Sequence, residues 1–165
     1  MSMKTIKIKK VLIALDYDET SKKVAEEGFA MAKAMKAKII LLHVIFEQPI
    51  YYSEQSIDYS SYTHMPELKF DITDDLKEIA QEFLNKTKKH LGDESIETIL
   101  NEGEIAETIL NTAKEMKVDI IVMGSHSRKW LENIIMGSEA ADVLKKTTIP
   151  LFMYQPKNKL NNYSG

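Results

Sequence analysis

Two short clusters of glycine, serine and charged residues have the composition of an anion-binding loop. The first reads GSHSR at 124–128, the second reads GSE at 137–139, and nine residues separate Ser127 from Gly137. Small residues let a backbone approach phosphates closely, and the N–H groups that open a helix donate to anions. We therefore expect phosphate binding by the N–H groups of 137–139 and the Ser138 hydroxyl, with Arg128 able to pair with a phosphate.

These clusters are positioned by short apolar runs that alternate with helical patterns. The runs Val11–Leu15 and Ile39–Ile45 are typical of buried strands, and a further strand is predicted at Asp119–Met123. Strands at a sheet edge are predicted at Ile96–Leu100, which alternates apolar and polar residues, and at Ile149–Tyr154, where Pro150 cannot donate to a neighbouring strand. The segments with helical periodicity are Glu19–Met35, Asp71–His90, Glu104–Met116 and Glu139–Lys146. Gly92 is expected to end the second of these helices. This alternation predicts an α/β fold, a single doubly wound domain whose five-stranded, mainly parallel sheet has helices on both faces.

Ligands of doubly wound sheets bind beyond the carboxyl ends of strands, where the strand order reverses. The sequence places the ends of the first, second and fourth strands there. The predicted site residues from these strands are Ala14, Leu15, Asp16, Val44, Met123 and Gly124. Those from the loop and the following helix are His126, Ser127, Arg128, Gly137, Ser138 and Glu139.

Composition excludes several classes of function. The 165 residues carry a formal net charge of −3, which offers no basic field for a nucleic-acid backbone. There is no cysteine, which excludes disulfides, thiolate metal sites and cysteine nucleophiles. No apolar run approaches the roughly 20 residues that span a bilayer. We expect a cytoplasmic protein whose main partner is neither nucleic acid nor membrane.

The stretch MGSHSRKWLENIIMGS resembles the ATP-binding signature of universal stress proteins: Gly, two residues, Gly, nine residues, Gly, then Ser or Thr. The resemblance runs from about residue 8 to 155 and includes VLIALD, DIIVMGSHS and TTIPLF. It implies an adenine nucleotide α-hydrolase-like fold that binds ATP, ADP or AMP, with or without Mg²⁺ or Mn²⁺. By this resemblance Asp16 lies by the nucleoside, a backbone group near Val44 reads the adenine, and the Gly-rich loop wraps ribose and phosphates.

Two positions depart from the requirements of that signature. Ser127 stands where the family has its second glycine. If that position needs a positive φ, serine costs about 1–2 kcal/mol, which corresponds to roughly five- to thirty-fold weaker binding. Glu139 places a carboxylate where phosphates would bind, and it repels them unless a divalent metal bridges the two.

The resemblance implies a regulatory or stress-response protein that senses ATP or hydrolyses it slowly, without a dedicated enzymatic activity. One alternative is a dimeric interaction module of the same family that has lost nucleotide binding through Ser127. An adenylating ligase would need a second substrate domain, and a phospho-receiver would need an acceptor Asp and a Lys that the strand ends do not supply. The last strand pairs with its copy in the family, which predicts a homodimer through 149–154.

Plainer interpretations remain open for several of these residues. Gly124 and Gly137 could be turn glycines, and Asp16, like Asp18 or Thr20, could cap the following helix. His43 fits a hydrogen-bonded core histidine better than a catalytic one. The tyrosine-rich connection at 46–70 is either a lid over the site or a disordered loop. We expect the domain to span 1–156 and a polar tail to span 157–165.

Overall fold

A computed structural model describes residues 2–18, 20–46, 68–125 and 136–155, with only the backbone described for 68–73. The strands are β1 (Lys10–Ala14), β2 (Lys38–Ile45), β3 (Glu97–Glu102), β4 (Ile120–Gly124) and β5 (Leu151–Tyr154). The helices are α1 (Ser21–Ala34), α2 (Leu68–Leu91), α3 (Ile105–Glu115) and α4 (Ser138–Lys146). The predicted five strands and four helices are therefore all present.

The strands form one sheet in the order β3-β2-β1-β4-β5, and every neighbouring pair is parallel. From β1 the chain winds outward through β2 to β3, and it then returns to the other side of β1 to add β4 and β5. The strand order reverses between β1 and β4, as the doubly wound prediction requires. The predicted edge positions of the third and fifth strands are confirmed.

Alternate residues of the central strands face two separate cores, because strand side chains point to opposite faces of the sheet. Val11 and Ile13 face α1 and α2, whereas Leu12 and Ala14 face α3 and α4. Val11, Leu12 and Ile13 are completely buried. Helices therefore cover both faces of the sheet, which explains why these strands are apolar throughout.

Helix α1 lies unusually close to the sheet because Gly28 faces it. A Cβ atom at Gly28 would lie 2.8 Å from Cδ1 of Ile13 and 3.2 Å from Cγ1 of Val122. A methyl group does not fit at that distance without movement of the core, so a glycine is needed for close packing and not for a turn.

Several element ends differ from the sequence prediction. Helix α2 begins at Leu68, three residues before the predicted Asp71, and so takes the last part of the 46–70 connection. Gly92, with φ +72°, ends this helix as predicted, and its N–H donates to the carbonyls of Lys88 and Lys89. Strand β5 begins after Pro150, which has no N–H but accepts from the Ile121 N–H through its carbonyl.

The remainder of the connection, at 47–67, and the predicted tail at 157–165 lie outside the described residues. The domain limits of 1–156 therefore stay a prediction. Within the part of the chain that is described, no helix is both long and apolar enough to cross a membrane.

Candidate functional site

A cleft opens at the carboxyl ends of β1, β2 and β4, where the strand order reverses. The space between its walls, including the part open to solvent, has a volume of about 620 Å³. The strand ends form its floor, and the first turns of α1, α3 and α4 contribute residues to its walls. The cleft lies where the doubly wound fold was predicted to bind its ligand.

The β1 side of the cleft is shaped by a histidine from β2. His43 is 6% exposed, and its Nδ1 lies 2.8 Å from the carbonyl oxygen of Leu15. Because a carbonyl only accepts, Nδ1 carries the proton of this hydrogen bond. The Phe83 ring packs edge-on against the imidazole. The prediction of a hydrogen-bonded core histidine is confirmed. The bond holds Leu15, the residue that follows β1, in place.

The backbone of Val44 is directed toward the cleft. The Ile45 carbonyl points toward β3, because it accepts from the Gly103 N–H at 3.0 Å. The Leu42 carbonyl points toward β1, because it accepts from the Leu15 N–H at 2.8 Å. Successive residues of an interior parallel strand direct their backbone N–H and C=O groups alternately to the two neighbouring strands. The backbone groups of Val44 therefore point to the β1 side, like those of Leu42. The paired residues of β1 and β2 end at Ala14 and Leu42. The backbone of Val44 therefore lies beyond the part of β2 that is paired with β1.

The loop between β1 and α1 brings two carboxylates to the rim. Asp16 Oδ1 accepts from the N–H of Tyr17 at 2.8 Å. Asp18 Oδ1 accepts from the Thr20 N–H at 2.7 Å and the Thr20 hydroxyl at 2.6 Å, so that Asp18 stabilises the entry into α1. Asp18 thus forms a turn with Thr20, the N-cap residue of α1, and no side chain caps the N–H groups of the helix itself. Asp16 and Asp18 both line the cleft.

The opposite wall is apolar and comes from the start of α3. Ile105 and Ile109 are one helical turn apart and both line the cleft. The Glu104 side chain caps this helix, accepting from the N–H of Ala106 at 3.3 Å and of Glu107 at 2.7 Å. The first N–H groups of α3 are thus bonded to the chain itself, and this helix presents isoleucine side chains to the cleft.

The β4 end closes onto α4 through a short chain of hydrogen bonds. Ser125 N–H donates to the Tyr154 carbonyl at 2.9 Å, and the Ser125 carbonyl accepts from Gly137 N–H at 2.8 Å. The Gly137 N–H, predicted to meet a phosphate, is therefore bonded to Ser125 instead. The Ser125 hydroxyl is buried and has no hydrogen-bond partner in the described part of the chain.

The start of α4 holds a serine and a glutamate that contact each other. Gly137 is the N-cap, and no side chain caps the helix. The Ser138 hydroxyl donates to Glu139 Oε2 at 3.0 Å. The hydroxyl that the sequence predicted as a phosphate donor is thus bonded to a neighbouring carboxylate, and Glu139 lines the cleft.

Most of the predicted site residues that can be located come together in this cleft. Those that line it are Ala14, Leu15, Asp16, Val44, Met123, Gly124 and Glu139. Gly137 and Ser138 adjoin it at the start of α4 but are not among its lining residues. His126, Ser127 and Arg128 lie outside the described residues, so their roles stay predictions.

The sequence reasoning did not assign other lining residues to the site. These are Asp18, Thr20, Ser21, Val24, Leu42, Ile105, Ile109 and Ala140. The loop residues directly follow a predicted strand end and could have been included on that ground. The helix α3 residues could not, because a helical pattern identifies the buried face of α3 and not which of its turns reaches the cleft.

The charged groups of the cleft are of one sign where it is described. Asp16, Asp18 and Glu139 line it, and no lysine, arginine or histidine is among the described lining residues. Within the described ranges, no group of three or more histidine, aspartate or glutamate side chains is arranged to hold a metal ion.

A parallel sheet with helices on both faces and a cleft at its switch point defines the class of doubly wound ligand-binding α/β proteins. Comparison with known proteins narrows this class. The family model described as "Universal stress protein family" matches residues 7–155, and the chain belongs to that family.

Individual relatives cover nearly the whole chain. The universal stress protein MJ0577 of Methanocaldococcus jannaschii is 31% identical, with 93% of this chain and 99% of that protein covered. The universal stress protein YxiE of Bacillus subtilis is 30% identical over 87% of this chain and 97% of that protein. The solved structure of MJ0577 superposes with a TM-score of 0.70 at 30% identity and the same coverage as its sequence.

More distant structures share the fold. The universal stress protein UspA from Lactobacillus plantarum has a TM-score of 0.71 at 17% identity, over 90% of this chain and 99% of its own. A universal stress protein solved in complex with cAMP has a TM-score of 0.59 at 20% identity, over 90% of this chain and 97% of its own.

Proposed function

We propose that this chain is an adenine nucleotide-binding universal stress protein with a regulatory or stress-response role in the cytoplasm. The observation that carries the proposal is the cleft at the switch point, into which the ends of β1, β2 and β4 bring six of the predicted site residues and α4 brings a seventh, Glu139. ATP, ADP and AMP are the expected ligands. Slow ATP hydrolysis is compatible with this role, and no dedicated enzymatic activity is proposed.

The walls of the cleft suit an adenosine group. Ile105, Ile109 and Met123 provide apolar contacts for a planar base. The Val44 N–H and carbonyl, directed to the side that β1 has left, match the acceptor and donor on the edge of adenine. The Asp16 carboxylate at the rim would accept hydrogen bonds from ribose hydroxyls, as acidic residues do in other doubly wound nucleotide sites.

The phosphates would lie between the Gly-rich loop and the start of α4. The N–H groups of the first turn of α4 have no side-chain cap, and a helix N-terminus favours anions. The Ser125 hydroxyl, which has no partner among the described residues, is a further donor at the first position of the loop. His126, Ser127 and Arg128 would complete the contacts, with Mg²⁺ or Mn²⁺ carried on the phosphates.

A distant relative supports adenine nucleotides as the ligand class. The structure of a universal stress protein in complex with cAMP shows that this fold holds an adenine nucleotide in that protein. At 20% identity it supports the shared fold and carries no residue roles to the present chain.

Calorimetric titration of the nucleotide-stripped protein with ATP, ADP and AMP, with and without Mg²⁺ or Mn²⁺, tests the proposal. We expect micromolar binding, corresponding to about −8 kcal/mol. Asp16→Asn should weaken it by about tenfold, because a neutral amide is a poorer acceptor than a carboxylate. Asp75→Asn, which removes one exposed charge on α2, is the matched control and should bind like wild type.

A second variant checks the glycine at the end of β4. A Cβ at Gly124 would lie 3.0 Å from Cγ2 of Val24 and 3.7 Å from the Thr20 hydroxyl, so Gly124→Ala crowds the cleft wall. We expect weaker binding with an unchanged circular dichroism spectrum. Absence of binding by all three nucleotides to the folded wild type would contradict the proposal and favour an interaction module that does not bind nucleotide.

We propose that the protein forms a homodimer through β5, whether or not it binds nucleotide. Strand β5 is an edge strand, and its Phe152 is 42% exposed on the face of the sheet that α1 and α2 cover elsewhere. An apolar edge strand has unpaired backbone groups that a second copy can satisfy. Light scattering after size exclusion should give twice the chain mass, and Phe152→Glu should give the monomer mass. A monomeric wild type would exclude this assembly.

A further inference from the structure

Each described helix that points its start at the cleft has a carboxylate there. Asp18 accepts two hydrogen bonds from Thr20 at the start of α1, Glu104 caps α3, and Glu139 lies in the first turn of α4. An acidic side chain at a helix N-terminus is stabilised by the helix dipole. The positions at which this fold could attract an anion are therefore already provided with negative charge by the chain.

The start of α4 differs from that of α3 because no side chain caps its N–H groups, and the N–H groups of α1 are uncapped in the same way. The Asp18 carboxylate bonds to a backbone N–H at the entry to α1, and the Glu104 carboxylate bonds to two backbone N–H groups of α3. Helix α4 has no side-chain cap, and Glu139 instead accepts from the Ser138 hydroxyl at 3.0 Å. On the proposed function the phosphates bind at α4, which follows the Gly-rich loop, and there they meet a carboxylate that is held beside the helix start.

We propose that Glu139 determines which adenine nucleotides the cleft favours, by disfavouring each additional phosphate charge. This inference rests on the proposed nucleotide function and concerns the selectivity of the same site. The half-buried position of Glu139 strengthens the repulsion, because charges that are partly removed from water are less screened. The repulsion weakens the binding of ATP more than that of AMP and leaves adenosine unaffected. A divalent cation bound to the phosphates reduces this difference in affinity.

The Ser138 hydroxyl is part of this arrangement. While it donates to Glu139 it is not available to a phosphate, so the carboxylate both repels the ligand and occupies one of its donors. Glu139→Gln removes the charge but keeps a side-chain oxygen that can accept from Ser138, so the geometry of the helix start is retained.

Affinities for adenosine, AMP, ADP and ATP, measured without divalent cations, test the inference. Glu139→Gln should lower the ratio of the ATP to the adenosine dissociation constant by roughly tenfold, with little change for adenosine, since only charged ligands experience the repulsion. Addition of Mg²⁺ should reduce the difference between wild type and variant. Asp142→Asn is the matched control, because it removes one charge from the same helix at a residue that does not line the cleft.

The outcomes separate this inference from the proposed function. An equal change for all four ligands in Glu139→Gln, or the same shift in Asp142→Asn, would overturn the role of Glu139 while nucleotide binding stands. Binding of ATP to Glu139→Gln but not to wild type would support both the role of Glu139 and the proposed function. Failure of all four ligands to bind to wild type and to Glu139→Gln would overturn the proposed function, and the inference with it.

Discussion

His43 shows how one side chain links the core to the cleft. Its Nδ1–H donates to the carbonyl of Leu15 from the neighbouring strand, 28 positions away in sequence. The Leu15 carbonyl lies beyond the last paired residues of β1 and β2, and the His43 side chain provides its hydrogen bond. A buried polar side chain is thus satisfied, and the chain leaves β1 along a defined path toward Asp16.

We expect His43→Leu to lower the free energy of unfolding by about 1–3 kcal/mol, because the buried Leu15 carbonyl loses its partner. Urea unfolding checks this prediction. His43→Asn is the control, since its amide nitrogen can take the place of Nδ1 and should preserve the affinity of the cleft better. Leucine is the more apolar residue, so a gain in stability in His43→Leu would show that the hydrogen bond is unimportant.

The pKa of the Asp93 carboxyl group is strongly lowered by its neighbours. Hydrogen bonds from the Ser95 side chain, and then from Lys33 and the Ser95 N–H, lower its pKa from 3.8 to about 2. Lys33 Nζ lies 2.9 Å from Asp93 Oδ2, so the pair connects α1 to the turn after α2.

The folded protein therefore binds the Asp93 proton less tightly than the unfolded chain does. The stabilisation is fully present above pH 3.8 and is lost as the pH falls through about 2. Asp93→Asn should be less stable than wild type at pH 7, and the difference should narrow between pH 4 and about 2. Urea unfolding across this range is the measurement. Glu94→Gln, at a neighbouring side chain that is 93% exposed, should change little at any of these pH values.

At the scale of the elements, the approach of α1 to the sheet depends on one glycine. Gly28 lets the helix backbone pack against Ile13 and Val122 with no room for a methyl group. Glycine in a helix is unfavourable by about 0.5–1 kcal/mol relative to alanine. The position is explained by packing, which outweighs that local preference.

Gly28→Ala should therefore destabilise the protein by about 1–2 kcal/mol net, since an overpacked core costs about 1–3 kcal/mol and exceeds the gain in helix propensity. Chemical denaturation gives the value. Ile13→Val removes the Cδ1 atom that would lie 2.8 Å from the new methyl group, and it should partly rescue Gly28→Ala. Strict additivity of the two substitutions in a double-mutant cycle would refute this packing explanation.

At the scale of the whole molecule, the cleft joins elements that are far apart in sequence. The ends of β1, β2 and β4 and the starts of α1, α3 and α4 meet there. A ligand in the cleft would contact elements that only folding brings together, and it would therefore bind the native state only. Its binding free energy should therefore appear as an increase in global stability.

A nucleotide at one hundred times its dissociation constant should raise the free energy of unfolding by about 2.7 kcal/mol, or the midpoint temperature by roughly 5–10 °C. Thermal unfolding followed by circular dichroism, at one fixed protein concentration, is the measurement. Asp16→Asn should show a smaller increase at the same nucleotide concentration. An equal increase in the variant would place the binding site elsewhere.

Much of this architecture could be predicted from the sequence because its signals are local. The fully apolar run at Val11–Leu15 indicated a strand buried on both faces, and Gly92 indicated the end of a helix. Asp16 and Gly124 followed predicted strand ends, and the switch-point rule was enough to place them in one cleft.

The partners within the site were decided only by the tertiary structure. The Gly137 N–H is bonded to Ser125, the Ser138 hydroxyl is bonded to Glu139, and Ile109 lies in the cleft wall. Periodicity and turn chemistry determine which face of an element is buried and where it ends. Which donor meets which acceptor depends on how the finished elements dock, because hydrogen bonds require atoms to meet within about 3 Å.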